Sequence, residues 1–478
     1  MTKKHLRQIT LTGCLIALTC LAMVFSGYST QPEIKPAPAP GNNNGIVNLS
    51  GKLSQDKIHV SGDGIVSLAL TMTADDIRDI KSAGETKHFQ HADIVIVLDR
   101  SGSMAGKKLN DAKNAALNLL SELSPNDRIG LVIYSDEAQK LSDLTNVTPS
   151  AREWLTGNIN CISAGGVTNL GQGLQEGINI ITASKRTGRM GRIILISDGL
   201  ANKGITDTAA LGNIASVAVE RNFSISSVGV GYDFNEQLMT AIADRGAGNY
   251  YFLENPSEFA SVFQNEFHRA RTLAASSVKL SVKENNGIKL VDAGGYPINI
   301  ENNCAVIYPG DLKTGESRTL YLNFRFPTDR ETTFKISDIV LNYQFLENHY
   351  TAALLKPLTL ACVQDRKEAI ASIDKGVWVN KVIKDDFNRL REEVARDIKL
   401  GQKKEAVQKI DQYYNKQQEI NAHVQSGKVA DNLAKDLPSL RSILDETFSG
   451  KPAEVADKQK KNAKTLQYEG YNERRMKN

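Results

Sequence analysis

Two hydrophobic periodicities divide the chain. From residue 65 to 72 the apolar Val66, Leu68, Leu70 and Met72 alternate with polar or small residues, the period-two pattern of a strand buried on one face. Residues 94–98 are instead a continuous apolar run, as expected of a strand covered on both faces in a parallel sheet. Leu109, Ala112, Ala116, Leu120 and Leu123 follow at helical spacing, Pro125-Asn126-Asp127 ends that helix, and a second apolar run covers 129–134. This is a βαβ unit, and the alternation continues with a helix after Asn169, strands at 192–197, 224–230 and 250–253, and helices near 208–220, 234–243 and from Pro256. The pattern predicts a doubly wound α/β domain over residues 91–272.

Strict alternation returns in Val278, Leu280 and Val282, in Leu320, Leu322, Phe324 and Phe326, and in Ile339, Leu341, Tyr343 and Phe345, which predicts antiparallel strands. Because β patterning flanks the α/β segment, residues 46–90 and 273–362 are expected to form one antiparallel β-sandwich carrying the α/β domain as an insertion. Beyond it, Ile383, Phe387, Leu390, Val394 and Ile398 make one helical stripe and Val429, Leu433, Leu437, Leu440 and Leu444 another, so residues 363–448 read as a C-terminal α-helical module. Gly401 and Gly427 are its breaks, and Pro438 is expected to kink its third segment. Residues 449–478 carry eight Lys or Arg against four Asp or Glu and read as a flexible, basic tail.

Composition narrows the class. The 478 residues are 41% hydrophobic and 23% charged, enough apolar content for a packed core. The net charge of +4 includes Lys3, Lys4 and Arg7 of an acid-free first thirty residues, so the body is almost neutral and lacks the basic excess that drives nucleic-acid binding.

Residues 1–30 have the form of a signal peptide, with a basic start, an apolar stretch of fifteen residues at 11–25, and then Ser26 and Gly27. That stretch is shorter than a spanning helix needs. The expectation is export to a periplasmic, cell-surface or secreted location. An uncleaved N-terminal membrane anchor, or a lipid anchor at Cys14 or Cys20, stands as the alternative and is the only membrane contact expected. Residues 31–45, with four prolines and Asn42-Asn43-Asn44, read as a linker. After signal removal Cys161, Cys304 and Cys362 remain. Cys304 and Cys362 either pair or are buried free thiols.

Chemistry concentrates at three predicted strand or loop ends. Asp99-Arg100-Ser101-Gly102-Ser103 ends the first parallel strand, Gly165-Gly166-Val167-Thr168-Asn169 precedes a helix, and Ser197-Asp198-Gly199 ends another apolar strand. In a doubly wound sheet such ends converge at the carboxyl edge, where ligands bind. The set resembles the von Willebrand factor type A domain and its metal-ion-dependent adhesion site. The resemblance implies Mg²⁺ held directly by Ser101 and Ser103, directly by Thr168 in the ligand-bound state, and by Asp99 and Asp198 at least partly through water. Hydroxyl and carboxylate oxygens suit that hard ion, with Mn²⁺ or Ca²⁺ as alternatives. With only two carboxylates the site keeps positive charge and an open position, which a Glu or Asp of a protein partner can fill.

Other chemistry has little support. The glycines at 171, 173 and 177 depart from the dinucleotide fingerprint and suit close helix packing instead. His88 and His91 stand three apart without a third ligand. The sequence contains no His-Glu-x-x-His and no Gly-x-Ser-x-Gly, and no His is placed to form a triad with Asp99 and Ser101. The outer arrangement, including Tyr308-Pro309-Gly310-Asp311 and Gly315-Glu316-Ser317, is similar to exported bacterial von Willebrand-domain proteins and to inter-alpha-trypsin inhibitor heavy chains.

The expected function is a non-enzymatic, exported protein-binding or adhesion module of the cell envelope. The rivals are an assembly factor whose metal only stabilises the domain, and a metal-assisted hydrolase. The resemblance further implies that the helix at about 256–271 shifts on ligand binding and is coupled to the sandwich at Leu273. No oligomeric state is assigned.

Overall fold

The computed structural model of the protein describes residues 45–76, 91–184, 189–345 and 348–475. The expected signal peptide, nearly all of the linker, and His88 lie outside the described residues. The α/β segment forms a six-stranded sheet in the order Ala138–Asn146, Arg128–Tyr134, His91–Asp99, Arg189–Ser197, Phe223–Val230, Ala247–Leu253. Only the first pair is antiparallel.

Within His91–Asp99, Ile94, Ile96 and Leu98 join one apolar cluster and Val95 and Val97 another, which is why this run is apolar at every position. Helices Lys107–Glu122 and Phe259–Arg271 cover the first face, and Leu170–Ala183, Thr208–Glu220 and Glu236–Arg245 the second. The glycines of Leu170–Ala183 let that helix approach the sheet: a Cβ at Gly173 would lie 2.6 Å from the Tyr134 ring, and one at Gly177 2.6 Å from Val97.

Two elements carry no hydrophobic signature. The edge strand Ala138–Asn146 is largely exposed or half-buried. Helix Pro149–Asn160 is set by its start, where the Thr148 hydroxyl accepts from the Ala151 N–H at 3.3 Å and Pro149 occupies the first turn.

Strands from before and after the α/β segment share one antiparallel sheet, in the order Val47–Leu53, Ile65–Ala74, Ser317–Arg325, Lys289–Ala293. A second sheet is built around Leu273–Lys283 and Ile339–Phe345. The two bury Leu68, Leu70, Leu280, Leu322 and Leu341 in one core. A smaller sheet joins Thr332–Ile336, Leu358–Val363 and Lys57–His59. Cys304 and Cys362 sit in different sheets, and both are free thiols.

The C-terminal stripes meet in a separate core with Phe387, Leu390, Val394, Ile398, Val429, Leu437, Leu440 and Leu444 buried. Pro438 lies in the first turn of Leu437–Thr447, after a π-helical turn at Asn432–Asp436. The helical run is continuous from Gly427 to Thr447, so Pro438 is interior to it, and the ladder is irregular in the π-helical turn just before the missing N–H.

The expected flexible tail at 449–478 is corrected by the structure: Pro452–Arg475 is a 24-residue helix. Its cations are held by acids from all three parts of the fold. Lys464 pairs with Glu236, Arg475 with Asp244, and Arg474 with Asp292, Asp385 and Glu392. A basic composition therefore marked buried ion pairing here. No described helix is long and apolar enough to cross a membrane.

Candidate metal centre

The centre lies at the carboxyl edge of the six-stranded sheet, where the chain leaves His91–Asp99 and Arg189–Ser197. Asp99 is the last residue of its strand and fully buried. One carboxylate oxygen accepts from the Ser101 N–H at 2.7 Å and the other from the Ser197 hydroxyl at 2.9 Å. Ser101 Oγ and Ser103 Oγ are 3.1 Å apart, and Ser103 Oγ donates to Asp198 Oδ1 at 2.7 Å. Four of the five motif residues are thus joined in one hydrogen-bonded chain.

Thr168 arrives on the third loop, which backbone bonds tie to the other two. Gly102 N–H donates to Gly166 O at 3.0 Å, Gly165 N–H to Arg100 O at 2.8 Å, and Asn202 N–H to Thr168 O at 3.1 Å. The Asn202 side chain returns an acceptor to Thr168 N–H at 2.9 Å. A Cβ built on Gly199 would lie 3.6 Å from both Ser103 Oγ and Thr168 Oγ1, so these two hydroxyls face one point beside Asp198.

Electrostatics distinguish the two carboxylates. Burial pushes the Asp99 carboxyl up to about 6, against the hydrogen bonds from Ser101 and Ser197 and with some help from the Asp198 charge. Asp198 is also buried, but Lys108 Nζ stands 2.5 Å from its Oδ2. Beneath them Tyr134 donates its hydroxyl to Ile196 O at 2.7 Å, and its own ionisation is pushed far up by burial and by Asp99.

Lys108 and Ser197 have no role in the motif-based expectation. Lys108 had a signal: Lys107 and Lys108 open a helix, where the dipole disfavours cations, so each needs a nearby acid. Lys107 finds Asp111 at 2.6 Å and Lys108 finds Asp198. His91 is 4.0 Å from Asp127 and stands apart from the site.

The donor set fits a hard divalent cation. It offers carboxylate and hydroxyl oxygens only, and Asp99 is a buried carboxylate whose hydrogen-bond donors are neutral. Among the described residues no group of three or more His, Cys, Asp or Glu forms a metal cage, so softer ligation has no candidate here. Two carboxylates set against a divalent ion and Lys108 would leave one net positive charge.

Residues 93–265 match the sequence profile of the von Willebrand factor type A domain, and this segment of the chain is such a domain. Domains of this class commonly mediate protein–protein contacts with a metal at the adhesion site.

The chain is 26% identical over 277 residues to uncharacterized protein sll0103 of Synechocystis sp., covering 56% of this chain and 65% of that protein. It is 27% identical over 191 residues to inter alpha-trypsin inhibitor heavy chain 4 of Mus musculus, covering 39% and 20%. The chain thus spans between a fifth and just under two thirds of the length of these relatives. A von Willebrand factor type A structure from Catenulispora acidiphila has a TM-score of 0.64 at 16% identity, covering 89% of this chain and 97% of that one. The likeness in fold therefore reaches well beyond residues 93–265.

Proposed function

We propose that the protein is an exported, non-enzymatic binding module that uses a divalent ion, Mg²⁺ in the first instance, to capture an acidic side chain of a protein partner. Asp99, Ser101, Ser103, Thr168 and Asp198 would hold the ion. When bound it supplies a Lewis-acidic, positively charged contact with an open position for a carboxylate oxygen. The protein's own residues do the rest. Asp99 and Ser197 fix the serine loop, Lys108 neutralises Asp198, and the tied loops at 165–169 and 199–205 shape the mouth.

The observation that carries this reading is the convergence of three hydroxyls and two buried carboxylates at one sheet edge with a single ammonium beside them. Such a site lacks negative charge of its own to satisfy a metal fully, and an acid from outside completes it.

The test is partner capture. The full chain is immobilised and exposed to envelope extract from the source cell in Mg²⁺, then eluted with EDTA, with Asp99→Ala as control. A protein released by EDTA from the wild type and absent from the variant is the expected result. Identical proteins retained on both through EDTA would contradict metal capture and favour an assembly role in which the ion only stabilises the domain.

A further inference from the structure

The mouth of the candidate centre is rimmed by exposed aliphatic side chains. Val167, Leu200 and Ile205 are 41%, 57% and 47% exposed and make up three of the nine large hydrophobic residues that are exposed among the described residues. Single exposed apolar side chains are ordinary, but these three share two loops that are bonded together over the metal motif. Val167 precedes Thr168, and Leu200 follows Gly199, whose Cβ position is 3.6 Å from the Ser103 and Thr168 hydroxyls. Ile205 belongs to the loop that returns over Thr168: Asn202 and Lys203 N–H groups both donate to Thr168 O, at 3.1 and 3.4 Å. A Cβ at Gly171 would lie 3.2 Å from Ile205 O, which fixes that residue against the start of helix Leu170–Ala183.

The charges beside this rim come as ion pairs. Lys203 lies 3.7 Å from Asp136 and remains about half exposed, and Lys108 is partly exposed beside Asp198. A partner segment that was only apolar would leave the positive charge of the metal-loaded site unmatched, since Lys203 and Lys108 already face Asp136 and Asp198. One that was only acidic would leave the aliphatic rim in water.

We infer that the mouth takes an acidic side chain set within an aliphatic stretch of a partner protein, the acid reaching the metal and its flanking aliphatic residues packing on Val167, Leu200 and Ile205. This rests on the metal-capture reading above. The rim supplies the selectivity among acids that one carboxylate contact cannot give, because any exposed Asp or Glu could make that contact.

The experiment uses fluorescent Gly/Ser peptides centred on Leu-Glu-Leu, Ser-Glu-Ser or Leu-Gln-Leu, titrated by anisotropy against the full chain in Mg²⁺ and in EDTA. The expected result is that Leu-Glu-Leu binds about tenfold tighter than Ser-Glu-Ser, as burial of a few half-exposed aliphatic groups provides. Leu-Gln-Leu binds at background, and EDTA abolishes all binding. The double variant Leu200→Ser, Ile205→Ser keeps Mg²⁺ affinity by calorimetry and binds both Glu peptides equally.

Equal binding of the two Glu peptides by the wild type, both lost in EDTA, would overturn the rim and leave metal capture standing. Leu-Gln-Leu binding as well as Leu-Glu-Leu, or no Mg²⁺-dependent binding of any peptide, would overturn both. A wild-type dimer in sedimentation that the double variant disperses would mean that a second copy covers the rim, and would overturn the partner assignment.

Discussion

At the candidate metal centre the buried Asp99 meets only a hydroxyl and a backbone N–H, and the buried Asp198 meets the Ser103 hydroxyl and one ammonium, Lys108. Along the helix Pro452–Arg475 the buried acids Glu236, Asp244 and Asp385 each face at least one cation of that helix, with Arg474 alone reaching Asp292, Asp385 and Glu392. Tyr471 adds a 2.7 Å hydrogen bond to Asp244, and Tyr468 stacks edge-on against Tyr250 and Phe252. The helix seam sets a cation against each of its buried acids, although Arg475 Nη1, Glu392 Oε1 and Gln467 Oε1 make no hydrogen bond, whereas the centre is left short of charge. The contrast separates a region built to hold the fold from one that can accept something from outside.

Truncating the seam should produce the largest loss. Arg474→Ala takes from the buried Asp385 its strongest cation, leaving Lys381 and Arg389, and should cost about 3–5 kcal/mol, as broken buried pairs do. Arg475→Ala removes the ion pair of the buried Asp244 and should fall in the same range. Denaturant unfolding checks both, and Mg²⁺ affinity should be unchanged. A loss of metal affinity of the same size would mean that the seam and the centre are one coupled unit.

Next comes Asp99. Because burial raises its carboxyl from 3.8 to about 6, its charged form opposes folding at neutral pH when no cation is present. Asp99→Asn should therefore stabilise the EDTA-treated protein by about 1–3 kcal/mol at pH 7.5, while abolishing stabilisation by added Mg²⁺. Paired melting curves in EDTA and in Mg²⁺ would show the crossing.

pH should then drive the two regions apart. For Asp99 the native pKa is the higher, so in EDTA the destabilisation is full above about 6 and disappears as the pH falls towards 3.8. For Glu236 burial pushes the carboxyl up but Lys464 and Lys399 outweigh it and hold the group below its ordinary 4.5. Burial likewise raises Asp385, and Arg474, Lys381 and Arg389 outweigh it, leaving that group below 3.8. Depressed carboxylates stabilise fully above their ordinary values, and that stability is lost as the pH drops through the depressed ones. Lys464 shows the opposing cost, since burial lowers its own pKa despite Glu236. Amide exchange in EDTA should show the centre's loops tightening between pH 7 and 5, with the helix seam loosening only below 4.

The smallest effect should come from the exposed pair Lys461–Glu254 at 3.0 Å, both about half exposed. Lys461→Ala should shift stability by no more than about 0.5 kcal/mol. A larger shift would mean that the outer turn of the seam is as buried as its core.

The contrast also decides what the sequence reveals. Asp99, Ser101 and Ser103 lie within five residues, and Thr168 and Asp198 follow glycine-rich or strand-end signals, so local patterning is enough to bring them to one edge. The doubly wound order is legible for the same reason, since its central strands are buried on both faces. The seam is hidden because its partners are distant: Arg475 and Asp244 are 231 residues apart, and Arg474 and Asp292 182. A helix that buries Lys464, Arg474 and Arg475 among Ala463, Leu466 and Tyr471 has no continuous apolar stripe to announce it. The edge strand Ala138–Asn146 is silent for a related reason, because its side chains face water as much as protein.

Metal capture at the sheet edge is tested most directly by Mn²⁺ binding to the full chain, read by electron paramagnetic resonance, in wild type and in Asp99→Ala. One ion per wild-type chain is expected, competed by Mg²⁺ and absent from the variant. Equal stoichiometry and affinity in both proteins would contradict it, because the ion would then lie away from the residues that converge at the sheet edge.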